Sequence, residues 1–141
     1  MTNTNKLKQW RKDRNLTTPN YKTYFENIIE ELFEPLYDKK TVAFIKEEIT
    51  DKYFIDDGRL DTNAIIDTCN DISVFSINEV EMMGYSFDAT LSETIKEIDS
   101  RNQNKNQAEI WSKWGADGKW MKDANQDKST LYVANYEGCK L

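Results

Sequence analysis

Histidine is absent from this chain of 141 residues, and cysteine nearly so, with only Cys69 and Cys139. Without histidine there is no Ser-His-Asp or Cys-His catalysis and no HExxH zinc site. Two cysteines far apart in the sequence make no metal cluster, and a structural disulfide is not expected of them in a cytoplasmic chain. Any metal must therefore be held by oxygens, which points to Mg²⁺ or Mn²⁺. Any general base must be a carboxylate, a lysine or a tyrosine. Positive charge is in deficit: 19 Lys and Arg stand against 25 Asp and Glu, a net charge of −6. That disfavours nucleic acid polymers and anionic membranes as partners, but not small anionic substrates whose charge a metal offsets. No apolar run approaches the roughly 18 residues that span a bilayer. The opening MTNTNKLKQW lacks the apolar core of a signal peptide, so the expectation is cytoplasmic.

What is present reads as one all-α domain followed by a tail. Lys6–Asn15 is a short basic helix carrying Trp10, too poor in apolar residues to fold unless it docks on the main body. Thr17-Thr18-Pro19 marks a helix start. The next helix covers 20–36, with Tyr24, Phe25, Ile28, Ile29, Leu32, Phe33 and Leu36 at helical spacing. Pro35 should end or kink it. Asp38–Phe54 is a third helix, and Asp56-Asp57-Gly58 a turn. A long helix follows over 63–84, capped by Asp61 or Thr62 and stopped by Gly84. The next helix covers 88–101, with Leu91, Ile95 and Ile98 inward. Residues 1–102 thus form the helical domain. Residues 103–141, with Trp111, Trp114, Trp120, Tyr132 and Tyr136, form an irregular aromatic tail packing on this subunit or a neighbour.

The helix over 63–84 organises this reading. At about 100° per residue, Ile65, Ile66, Cys69, Ile72, Val74, Phe75, Ile77, Val80, Met82 and Met83 cover nearly its whole circumference. Such a helix should be central and buried. Yet Asp67, Asp71 and Asn78 share one strip roughly 40° wide, flanked by Val74, Phe75 and Met82. Two carboxylates in apolar surroundings are costly unless a cation balances them. The helix over 20–36 carries Glu30, Glu31 and Glu34, whose spacing puts side chains on neighbouring turns of one face. Glu47, Glu48 and Asp51 in the third helix rival them as the first acidic motif. Taken alone, EExxE is most often a solvated face.

The ordered set of motifs resembles the all-α nucleoside triphosphate pyrophosphohydrolases, the MazG-like and dimeric dUTPase-like enzymes. Their signature is EExxE on one helix and ExxD on another. QWRKDRNLTTPNYKTYFENIIEELFE is similar to the opening of small phage-type members, with its W-x-x-D-R-N-L segment before EExxE. IIDTCNDISVFSINEVEMMGYSFD is similar to their second motif helix, ETIKEIDSRNQNK to the helix after it, and DGKWMKDANQDKSTLYVANY to their tail. Together these cover most of 9–136. The second motif departs from ExxD: Thr68 or Ala64 stands where the Glu belongs, according to whether Asp71 or Asp67 is its Asp. Residues 38–62 lengthen the gap between the motifs.

The resemblance implies a four- to five-helix antiparallel bundle that hydrolyses a (deoxy)nucleoside triphosphate to monophosphate and pyrophosphate, in nucleotide-pool or house-cleaning work. It implies Glu31, Glu34, Asp67 and Asp71 as ligands of Mg²⁺ (or Mn²⁺), with Glu30 and Glu31 orienting or deprotonating a water. Asn102, Lys105, Lys119 and Lys122 become candidates for phosphate or sugar contacts, and Trp10 for stacking on the base. A homodimer or homotetramer is implied as well. The altered second motif keeps open an alternative: a catalytically degenerate helical oligomer that binds nucleotide or a protein partner.

Overall fold

Each helix begins where a short polar side chain can take up an amide that the first turn leaves free. In the computed structural model, which describes residues 1–16, 18–101 and 126–141, the chain forms five α-helices among the described residues. These are α1 (Asn3–Asp13), α2 (Tyr21–Phe33), α3 (Lys39–Tyr53), α4 (Thr62–Met82) and α5 (Phe87–Ser100). Thr2 caps α1 through the Asn5 amide, Asn20 caps α2 through Thr23, and Asp38 caps α3 through Thr41. Asp61 takes the Ala64 amide at 2.8 Å, and Ser86 takes that of Ala89. The cap of α2 is thus Asn20 and not a threonine ahead of Pro19. The Thr41 amide holds the Asp38 carboxyl below its ordinary range. Ends are equally local. Asn15 adopts a positive φ of 53° after α1. Gly84 adopts one of 91° after α4, and the Tyr85 amide then donates back to the Val80 carbonyl, as a glycine-terminated helix requires. α2 stops at Phe33, ahead of Pro35, with Glu34 as its C-cap. The described residues contain no strand, only one antiparallel bridge between Tyr85 and Lys140. They are all-α, and none of their helices is long and apolar enough to cross a membrane.

The chain divides into two compact units, and α4 runs from one into the other. One unit comprises residues 19–69 and the second comprises 1–18 with 70–141. In the first, α2 packs on α3. Ile29 and Val42 are buried, each contributing about 2 kcal/mol of apolar transfer. Phe25 meets Phe54 edge-on at 5.4 Å, and Tyr21 lies 5.7 Å from Tyr24.

In the second unit α1 packs on α5. Asn3, buried, donates to the Asp88 carbonyl and carboxylate at 3.0 and 2.6 Å, and accepts from the Ser92 hydroxyl at 2.9 Å. At the other end of α1, Arg14 is buried beneath the C-terminus of α5 and stacks on the Trp10 ring at 4.8 Å. The C-terminal residues strap α5 down. Tyr132 donates to Glu93 at 2.6 Å, the Ala134 amide to Glu97 at 3.3 Å, and Tyr136 pairs with Thr94 at 2.9 Å. The strap closes where the Ser86 amide donates to the Cys139 carbonyl and the Leu141 amide to that of Gly84.

One expectation is overturned. No side chain of α4 is buried among the described residues. Phe75 is 73% exposed and Met82 76%. The packed helix pairs are α2 with α3 and α1 with α5, and most of the circumference of α4 is exposed.

Candidate functional site

Apolar spacing and polar spacing on α4 separate cleanly once exposure is known. Ile65, Cys69, Ile72 and Val80 are partly covered. By helical arithmetic they occupy the side roughly 100–180° away from Asp71. The opposite strip carries Asp67, Asp71, Phe75, Asn78 and Met82, all exposed, with Val74 beside it at 52% exposure. The two carboxylates therefore lie in solvent and not among apolar neighbours, which is a correction to the sequence reading. What lacks cover here among the described residues is apolar area, not charge.

Glu30, Glu31 and Glu34 stand on the last turns of α2. Glu30 is one-third exposed and faces Lys46 of α3, with 3.5 Å between Nζ and Oε1. Glu31 is exposed, as is Glu34, which forms the C-cap. These three and Asp67 belong to the same compact unit, and Asp71 lies one turn further along α4, in the other. Glu47, Glu48 and Asp51 are exposed on α3. The donor set is entirely carboxylate, which suits a hard divalent cation. It is not gathered: among the described residues no three acids or cysteines come together closely enough to hold a metal ion.

Beneath the acids, Cys69 joins α4 to α2 through a hydrogen bond with the Tyr24 hydroxyl. Burial, and then that bond, push Tyr24 up to about 12. Tyr24 and Phe25 accordingly belong to the aromatic packing of α2 and α3.

No family model, curated protein or solved structure matches this chain. Its site has to be judged on its own residues.

Trp10, read as a base-stacking candidate, faces Arg14 of its own helix in a cation–π contact. The W-x-x-D-R-N-L segment thereby acquires a structural role. Trp10 covers Arg14, Arg14 holds the end of α5, Asn15 ends α1, and the Leu16 amide donates to the Arg11 carbonyl at 2.9 Å. Asn102, Lys105, Lys119 and Lys122 lie outside the described residues. Sequence reasoning overlooked Glu93. Its carboxylate gathers Tyr132, the Asn135 amide and Lys96, and lies below its ordinary range chiefly because Tyr132 donates to it. A glutamate three residues before a lysine was the available signal, but nothing local foretold a tyrosine 39 residues on.

Proposed function

We propose that the chain is a Mg²⁺-dependent nucleoside triphosphate pyrophosphohydrolase, working as a homodimer or homotetramer in the cytoplasm. The observation that carries this reading is the strip on α4 where Asp67 and Asp71 share an exposed face with Phe75 and Met82. Carboxylates one turn apart on an uncovered face are accessible to a cation and to phosphates. Apolar side chains on that same face call for cover that the described residues of one chain do not provide. The EExxE string on α2, the order of the motifs, and the absence of any histidine or thiol cluster support the same reading.

In this account Asp67 and Asp71 would hold the metal, and Glu31 and Glu34 are the further carboxylates that the resemblance implies as ligands. When bound, Mg²⁺ would supply positive charge that offsets the charge developing at the α-phosphorus. Glu30 and Glu31 orient the attacking water and accept its proton. The water oxygen bonds to the α-phosphorus, the bond from that phosphorus to the α–β bridging oxygen breaks, and pyrophosphate leaves with a nucleoside monophosphate behind. Glu30 must share its carboxylate with Lys46, which suits an orienting group better than a metal ligand.

A second reading is a catalytically degenerate oligomer that binds nucleotide or protein. The motif's missing Glu, with Thr68 or Ala64 in its place, favours it. Incubation with a panel of dNTPs and NTPs and Mg²⁺ separates the two. Equimolar pyrophosphate and monophosphate, lost in Asp71→Ala, supports the enzyme. Mg²⁺-dependent thermal stabilisation with no turnover of any nucleotide supports the degenerate form.

A further inference from the structure

A cavity of about 470 Å³ opens between the end of α4, the start of α5 and the C-terminal strap, all within the unit formed by residues 1–18 and 70–141. Met83, Tyr85, Phe87, Leu91, Thr94 and Tyr136 contribute its walls. Its size falls in the range of small-molecule sites, which are mostly apolar with a few placed polar groups. Among the described residues no charged side chain lines it. The polar feature is the hydroxyl pair of Thr94 and Tyr136 at 2.9 Å. Thr94 also donates to the Thr90 carbonyl at 3.2 Å, so its proton is spoken for and Tyr136 is left as the donor within the pair. A lone pair on the Tyr136 oxygen remains for a ligand hydroxyl.

We propose that this cavity binds an uncharged ligand built on one or two fused aromatic rings and bearing one hydroxyl. Three aromatic walls favour a flat ring. The described lining offers no cation to pair with an anion. Val80, which also lines the cavity, stands between Glu79 and Glu81, and α4 carries no lysine or arginine at all. The site is separate from the acidic strip. Val80 lies half a circumference, roughly 180°, and about 13 Å along α4 from Asp71. A nucleotide whose phosphates sit at Asp71 therefore does not place its base here within one chain. The walls are held by the chain itself: the Tyr85–Lys140 bridge and the Glu93–Tyr132 bond fix the strap that carries Tyr136.

The test uses the full chain with 2-naphthol, naphthalene and 2-naphthoate, followed by ligand-observed NMR and by mass in solution. Saturable binding of the two neutral rings is expected, with 2-naphthoate at least tenfold weaker. In Tyr136→Phe the ratio of 2-naphthol to naphthalene affinity should fall at least threefold while naphthalene itself is little changed. In Leu91→Trp, which fills the cavity, both neutral rings should weaken at least tenfold. Absence of saturable binding, equal binding of 2-naphthoate, or an unchanged affinity ratio in Tyr136→Phe overturns the proposal. So does loss of naphthalene binding in step with a rising mass as wild-type concentration increases, because a second copy then occupies the cavity.

Discussion

Arg14 donates from one guanidinium nitrogen to the Asp99 carboxylate at 3.4 Å and from the other to the carbonyls of Asp99 and Arg101 at 3.3 and 3.0 Å. The Arg14 side chain is fully buried while that of Asp99 is 46% exposed. The carbonyls, in the last turn of α5 and at its C-cap, are the important acceptors, because they meet a buried cation. Removing the cation takes this donor away from both, whereas removing the exposed carboxylate costs little, because solvent already screens it. Arg14→Met should therefore destabilise by about 3 kcal/mol, as for breaking a buried charged contact, and Asp99→Asn by less than about 1 kcal/mol. Urea unfolding of the two variants checks the asymmetry. Arg14→Lys should not rescue, because an ammonium cannot reproduce the planar fork.

Glu93 ties the C-terminal strap to α5. Its carboxyl is held below the ordinary range by Tyr132 and then Lys96. A depressed carboxyl contributes stability that is present above its unfolded value and lost as pH falls through its folded value. The strap should thus loosen below about pH 4.5, ahead of the helices. Amide exchange at residues 132–141 against that of α5 reads this, and Tyr132→Phe should move the loosening to higher pH.

Tyr24 behaves in the opposite sense. Its hydroxyl is raised to about 12 by burial and by Cys69. A raised group contributes stability that is complete below the unfolded value, near 10, and is lost as pH rises through its folded value near 12. Thermal melts from pH 9 to 12 should show a decline that Tyr24→Phe reduces.

The exposed strip of α4 gives a test of assembly. If Phe75 and Met82 are covered by another copy, Phe75→Glu should shift the mass in light scattering towards the monomer while helical content is kept. In an obligate monomer the same substitution should leave the mass unchanged and cost less than about 1 kcal/mol, through like-charge pairs with Asp71 and Glu79 one turn away.

The helices were legible because their signals are local. Asp61 as one of two cap candidates, the stop at Gly84, and the spacing of Ile29 in α2 and Ile95 in α5 can each be read within one or two turns. The surroundings of α4 were not legible. Periodicity says which side chains want cover, not which element supplies it, and the packed pairs are α2 with α3 and α1 with α5. Arg14 looked like one basic residue among several, since its partners at Asp99 and Arg101 lie 85 and 87 residues away. The acids were correctly placed on helices and on one strip. Their gathering around a cation depends on approach between elements, which spacing along a helix does not encode.

Hydrolysis in ¹⁸O-labelled water tests the central claim most directly. With Mg²⁺ and the nucleotide from the panel that turns over fastest, attack at the α-phosphorus puts the label in the nucleoside monophosphate and none in pyrophosphate. Asp71→Ala should lower the rate at least a hundredfold without lowering the melting temperature. Label in pyrophosphate or inorganic phosphate, or wild-type turnover equal to that of Asp71→Ala, contradicts the account.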